Sequence, residues 1–124
     1  MARAKWNVDA QMVEVFEGDE HFMLNPNLEV EGRWGQCKPV IESRGYQLPT
    51  PRQLQAMHAL LKEINELIVA HYGSTLKTVE KYWSNNLRAD RDVDIVFLYN
   101  GLRQAAQSTS RFLARGVVTL KETN

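Results

Sequence analysis

The strongest pattern along the chain is helical. Apolar side chains recur at intervals of three or four residues, at Leu54, Met57, Leu61, Ile64 and Ile68. Leu60 and Leu67 widen this apolar face. This spacing predicts one long amphipathic helix over 51–71 with one face on a core. Thr50 and Gln53 match a capping box and Pro51 suits the first helical position, so we expect the helix to begin there.

The pattern changes to alternation in the C-terminal third, which indicates strands. Residues 93–99 alternate along the chain and are rich in β-branched and aromatic side chains. Asn100 and Gly101 then match a two-residue type I′ hairpin turn, in which both residues have positive φ. The rest of this predicted meander is a return strand over 102–107, a turn over 108–110 and a last strand over 111–120.

The segments before the meander are shorter and less regular. We expect strands over 11–16 and 21–24, followed by a break in regular structure at 25–27. Pro39 fits the first turn of a short helix over 40–43, but it does not fit the middle of a helix. A further short strand over 82–84 is expected to end at two asparagines, Asn85 and Asn86. Strands, a helix and then an antiparallel meander indicate the α+β class.

The amino-acid composition limits the number of domains, the partners and the disulfides that we expect. The 124 residues, 44% of them hydrophobic, predict one domain with a core of its own over 1–124. Fifteen basic residues balance fifteen acidic ones, which argues against nucleic acid as a partner. Cys37 is the single cysteine, so no internal disulfide forms, and we expect a buried structural thiol.

The sequence pattern gives no indication of a membrane or export signal. No apolar run approaches the roughly 20 residues of a membrane helix, so we expect no membrane insertion. The N-terminal residues do not resemble a leader peptide, so the expected place is the cytoplasm or a virion, unless the chain is cut from a longer protein.

Motifs for metal or catalysis are incomplete. Asp90, Asp92 and Asp94 have the spacing that opens an EF-hand loop, but its sixth and twelfth positions hold Ile95 and Gly101. The three histidines lack the spacing of a ligand set, and no nucleophile or phosphate-loop motif occurs. We therefore expect no cofactor, no bound metal and no catalytic residue.

Polar side chains on the predicted sheet are the better candidates for a site. No acidic residue occurs between Asp94 and Glu122, whereas this stretch carries arginines, amides and hydroxyls that suit an anionic or hydroxyl-rich ligand. The alternative is that these arginines pair with acidic residues elsewhere in the fold. The expected binding surface is the loop after Trp83 and the outer face of the meander, with Asn85, Asn86, Arg88, Arg103, Gln107 and Arg111.

Three landmarks in order resemble a known family. They are residues 45–50 (GYQLPT) before the long helix, residues 82–85 (YWSN), and Asn100 and Gly101 before residues 112–117 (FLARGV). This set is similar to bacterial and phage C-type-lectin-like domains of the Lcl type. The same broad fold includes the formylglycine-generating enzymes and the variable receptor-binding proteins of diversity-generating elements. The match covers 34–120 and leaves 1–33 unmatched.

The resemblance implies a long helix packed on a twisted antiparallel sheet, with the first strand paired near the last and the termini close together. It also implies binding rather than catalysis. Some features depart from the family: Gln47 replaces an arginine, the calcium-site motifs of animal lectins are absent, and one cysteine cannot form the paired cysteines of formylglycine-generating enzymes.

These observations lead to three hypotheses about function. The first is a non-catalytic binding module that recognises a protein or a glycan without calcium. The second is a structural, assembly or inhibitor protein that docks on a protein partner, with a homo-oligomer as one form. The third is an enzyme with dispersed catalytic residues.

The balance of charge is uneven along the chain. Residues 1–36 carry seven acidic and three basic side chains, whereas 95–121 carry four basic and no acidic ones. If the first and last strands pair, these two blocks meet and neutralise each other.

Overall fold

The computed structural model describes residues 2–88 and 91–121, except the side chain of Lys121. In chain order, its elements are β1 (Arg3–Asn7), β2 (Met12–Glu17), β3 (Glu20–Gly32), α1 (Trp34–Ser43), α2 (Pro51–Ala59), α3 (Leu61–Ala70), β4 (Lys81–Leu87), β5 (Asp92–Phe97), β6 (Leu102–Gln107) and β7 (Phe112–Lys121). The strands form one sheet in the order β1-β2-β3-β7-β4-β5-β6. Only β4 and β7 pair in parallel, so the predicted α+β class is confirmed.

Helices cover both faces of the sheet. Tyr82 and Trp83 are neighbours on β4, yet they belong to different hydrophobic clusters, as do Leu113 and Ala114 on β7. Because side chains alternate between the faces of a strand, the two clusters lie on opposite faces. One cluster packs under α2 and α3, and the other packs under α1 around Cys37, which is buried as predicted. None of the helices described is long and apolar enough to cross a membrane.

The predicted long helix is two helices. Its capping box is confirmed: the Gln53 amide donates to Thr50 Oγ1 at 3.0 Å, and the Thr50 amide donates to Gln53 Oε1 at 2.9 Å. The helix is interrupted at Leu60, whose φ and ψ are −116° and 22°. The break lets α2 contact β2, β3, β4, β5 and β6 while α3 reaches the edge strand β1 as well as β2. The prediction of one long helix over 51–71 was therefore wrong.

Pro39 lies inside α1, at its sixth position, which corrects the expectation of a short helix over 40–43. A proline there removes one amide donor, the one facing the Gly35 carbonyl. Tertiary contacts hold the helix in spite of this loss. Ile41 is fully buried under the sheet, and Trp34 Nε1 donates to the Ser84 carbonyl at 2.9 Å.

The hairpin after β5 has a four-residue turn, 98–101, instead of the predicted two-residue turn. Of the two expected turn residues, only Gly101 has positive φ, at 73°. The amides of Asn100 and Gly101 both donate to the Phe97 carbonyl, at 3.3 and 2.7 Å. His58 from α2 contacts the Leu98 carbonyl at 2.6 Å, so a contact distant in sequence helps to select this turn. The return strand over 102–107 is confirmed.

The N-terminal strands differ from the prediction in two ways. The first strand, β1, was missed and lies at the sheet edge, and it is β3 that pairs with β7. The expected break at 25–27 is instead a shift in β3–β7 register between Leu24 and Glu29. Arg3 and Lys121 lie at the same end of the sheet, three strands apart, or about 14 Å.

The acidic and basic blocks meet where β3 pairs with β7. Arg115 has no exposed surface, and its Nη2 lies 3.1 Å from Glu29 Oε1 and 2.7 Å from the Ser74 carbonyl. The Tyr82 hydroxyl donates to the same Glu29 oxygen at 2.7 Å. This pair joins two strands whose residues are far apart in sequence. Removal of Glu29 would leave the buried Arg115 without its ionic partner, whereas Glu29 also pairs with Lys77 at 3.3 Å.

Gly73 and Gly35 give a matched test of the packing. A Cβ at Gly73 would lie 2.7 Å from Ile68 Cγ2 and 2.8 Å from the Pro26 carbonyl oxygen, whereas a Cβ at Gly35 meets nothing within 4 Å. We predict that Gly73→Ala lowers the free energy of unfolding by about 1–3 kcal/mol through overpacking. Gly35→Ala, inside α1, raises it by about 0.5–1 kcal/mol through helix propensity. Urea denaturation measures both, and equal effects would contradict the packing described.

Candidate functional site

The carboxylate of Asp94 is the centre of the candidate site. β5 places Asp94 on the same face as Val96, and its side chain has no exposed surface. Asn86 Nδ2 donates to Oδ2 at 2.5 Å, and Arg103 donates to the same oxygen from Nε at 3.2 Å and from Nη2 at 2.7 Å. Arg88 Nε lies 2.7 Å from Oδ1. Three of the six predicted site residues therefore converge on one buried anion.

These contacts keep Asp94 ionised. Burial by itself would raise the pKa of Asp94, because a buried carboxylate loses its hydration. The hydrogen bonds from Asn86 and Arg103, together with the positive charges of Arg103 and Arg88, outweigh burial and lower the pKa below its ordinary value. The anion thus persists through the neutral pH range and holds the donors around it.

Asn85 and Asn86 lie within β4 instead of in a loop after Trp83, which corrects the prediction. The β4–β5 register shifts between Trp83 and Leu87, so the two asparagines occupy an irregular part of the strand. The Asn85 amide donates to the Pro49 carbonyl at 2.8 Å, which ties this irregularity to the segment before α2. Because of that contact, the start of α2 forms the second wall of the site.

A cleft of about 250 Å³ lies between these walls. It is lined by Glu20, Thr50, Pro51, Arg52, Asn85, Asn86 and Arg103. Arg52 Nε lies 3.4 Å from Glu20 Oε1, and Glu20 is almost entirely buried. The side chains of Arg52 and Arg103 remain 57% and 41% exposed. Each arginine therefore contacts a buried carboxylate with one edge and still reaches solvent.

Gln107 and Arg111 do not line this cleft. Gln107 is at the far end of β6, opposite Asp92. It lies four positions along the strand from Arg103, which is a distance of about 13 Å. Arg111 precedes β7 and is exposed. Burial raises the pKa of the Cys37 thiol in α1, and the positive charge of Arg111 partly opposes that rise. The alternative that arginines pair with acidic residues elsewhere in the fold is confirmed for Arg115, which contacts Glu29 of β3, whereas Arg103 pairs with Asp94 inside the meander.

Two cleft residues, Arg52 and Glu20, were missed from the sequence. Arg52 is the second residue of α2 and is exposed, so the apolar periodicity of the helix does not mark it. No local signal marks Glu20, because its partner is 32 positions away. The capping box was the one available signal, since it located the start of α2 and hence the wall that carries Arg52.

The other candidate groups lie apart from the cleft. His21 contacts Glu14 Oε2 at 2.6 Å, His58 contacts a carbonyl of the hairpin turn, and the ring of His71 stacks on Trp6 with 3.7 Å between centroids. Asp90, the first residue of the EF-hand spacing, lies outside the described residues. Within those that are described, no three or more His, Cys, Asp or Glu side chains are grouped to hold a metal ion.

Comparison with protein-family models and with curated proteins finds no match to this chain. The chemistry of the cleft therefore follows from its own groups. Its lining offers guanidinium and amide donors, and the two carboxylates beside them, Glu20 and Asp94, are already ion-paired. Such a set can bind and orient a polar or anionic group.

Asp94→Asn tests whether the buried charge holds the site together. The folded-state pKa of Asp94 is lowered, so its stabilisation is present above the unfolded-state pKa and is lost as pH falls through the folded-state pKa. We predict that Asp94→Asn lowers the free energy of unfolding by about 2 kcal/mol at pH 7, since Arg88 and Arg103 lose an ionic partner. The difference from the wild type shrinks below about pH 4.

Asp92→Asn is the matched control, since Asp92 lies two residues away on β5 and is half-buried. We expect it to change stability by no more than about 0.5 kcal/mol. Urea denaturation between pH 3 and pH 7 measures all three proteins. A pH-independent deficit in Asp94→Asn would show that shape, not charge, makes this position important.

Proposed function

We propose that this chain is a non-catalytic binding module whose ligand, a protein or a glycan, docks in the cleft between the start of α2 and the β4–β6 part of the sheet. The observation that carries the proposal is the anchoring of cleft donors on buried carboxylates: Asn86 and Arg103 on Asp94, and Arg52 on Glu20. Asn85 lies at the mouth of the cleft and is exposed.

Anchoring favours binding for an energetic reason. A mobile arginine loses about 0.5–1.5 kcal/mol of side-chain freedom when a ligand immobilises it. Arg103 makes two nitrogen contacts with Asp94 before any ligand arrives, so much of that loss has already occurred on folding. The ligand then meets donors that are already oriented, which raises affinity and selectivity.

The residues of the cleft support binding over catalysis. The two carboxylates near it, Glu20 and Asp94, are each paired with arginine. Among the described residues that line it, none is a histidine, cysteine or lysine. A nucleophile with an adjacent base, the usual arrangement for covalent catalysis, is thus not assembled there.

The proposal includes the C-type-lectin-like fold and a bacterial or phage source, both of which rest on the resemblance of three segments. Two features support the fold. The segment with Leu48 and Pro49 contacts β4 next to Trp83 and Ser84, through the Asn85 amide. An N-terminal strand, β3, also pairs antiparallel with the last strand, β7.

Binding to immobilised arrays of glycans and of peptides tests this function, with Arg52→Ala and Arg103→Lys as cleft variants. Arg103→Lys keeps the charge but loses the fork of donors, so it separates geometry from charge. We predict that any probe bound by the wild type is bound at least tenfold more weakly by both variants.

Arg44→Ala is the control, because Arg44 is an exposed residue at the end of α1 and does not line the cleft. Circular dichroism and thermal unfolding confirm that each variant is folded. Wild-type affinity in both folded cleft variants, or an array with no bound probe, would contradict the proposed function.

A further inference from the structure

We propose that the cleft binds one carboxylate group, and that an acidic side chain of an extended peptide segment in a protein partner supplies it. This inference rests on the proposed function and narrows its ligand class. It follows from three properties of the cleft: the donors that face it, its net charge, and its size and surroundings.

The donors suit a carboxylate. A guanidinium has five N–H groups in a planar fork, which matches the two oxygens of a carboxylate. Arg103 directs Nε and Nη2 at Asp94, and its side chain is still 41% exposed, which leaves Nη1 to a ligand. Arg52 contacts Glu20 through Nε, at 3.4 Å, and is 57% exposed. Two anchored guanidinium groups thus border one cleft.

The charge suits a monoanion. Among the described residues, Arg52, Arg103 and Glu20 line the cleft. The Arg88–Asp94 pair behind this lining balances itself, which leaves one net positive charge. One carboxylate neutralises it. A phosphate monoester carries about −1.5 to −2 at neutral pH, so it would leave negative charge near two buried acids. The balance therefore favours a carboxylate over a phosphate.

The size suits a side chain. Pockets for small molecules typically measure about 300–1,000 Å³ and are lined mainly by hydrophobic and aromatic groups. This cleft measures about 250 Å³, and its described lining contains no aromatic residue. Both features favour one protein side chain over a sugar ring.

A second cavity extends the path of the ligand. It measures about 320 Å³, and Asn85 lines both cavities. Gln47, Leu48 and Thr119 also line the second cavity, so it offers polar groups beside one apolar side chain. An extended peptide that passes Asn85 can place its acidic side chain in the cleft and a neighbouring residue in the second cavity.

A paired peptide library tests the inference. Each octapeptide carries one glutamate, its twin carries glutamine at that position, and fluorescence anisotropy measures binding to the full chain. We expect the best glutamate peptides to bind the wild type at least tenfold more tightly than their twins. This preference falls to less than twofold in Arg52→Gln and Arg103→Lys, and it persists in Arg44→Gln.

Competition separates the sources of negative charge. We expect sodium acetate to displace the peptide at lower concentration than inorganic phosphate does, and an oligogalacturonate to compete more weakly than the best glutamate peptide. Stronger competition by phosphate would overturn the monoanion argument. Tighter binding of the oligogalacturonate would overturn the peptide source and assign the cleft to acidic glycans.

Different experimental outcomes would contradict this inference and the proposed function. If probes bind through the cleft but glutamate and glutamine twins bind equally, the carboxylate inference is wrong and the binding module stands. If binding is unaffected by both cleft variants, both proposals are wrong. Absence of saturable binding by any peptide below 1 mM (roughly −4 kcal/mol) would also overturn the inference.

Discussion

The buried carboxylate of Asp94 is the constraint on which the candidate site depends. A charge without solvent is tolerated only when donors and opposite charges surround it. Here the donors come from β4 and β6, and Arg88 after β4 adds a positive charge. The need to satisfy one anion therefore sets where Asn86, Arg88 and Arg103 lie. The same contacts that stabilise the fold therefore also hold the donors of the candidate site in a fixed arrangement.

The parts of the fold that were predictable depend on neighbours in sequence. The Thr50 capping box, the strand over 102–107 and the burial of Cys37 all follow from local residue types and periodicity. The wrong predictions have a common cause, which is contact between distant segments. The break at Leu60 lets two helices cover different strands, and α1 continues through Pro39 because its buried face outweighs one lost hydrogen bond.

The candidate site was predictable to a similar extent and for the same reason. Asn85, Asn86 and Arg103 belong to strands that pair locally, and Arg88 directly follows one of them, so these polar side chains could be assigned to one surface. The wall formed by Arg52 and Glu20 requires the Asn85 amide to reach Pro49 and the first residue of β3 to reach α2. Neither contact has a periodic signal, since each joins residues more than 30 positions apart.

The central claim is that buried carboxylates hold Arg52 and Arg103 in place before a ligand binds. Nuclear magnetic resonance order parameters of the arginine Nε–H groups test it most directly, with exposed Arg44 in the same spectrum as reference. We predict values near 0.85 for Arg103, intermediate values for Arg52, and values below about 0.6 for Arg44. Equal and low values for all three side chains would contradict it.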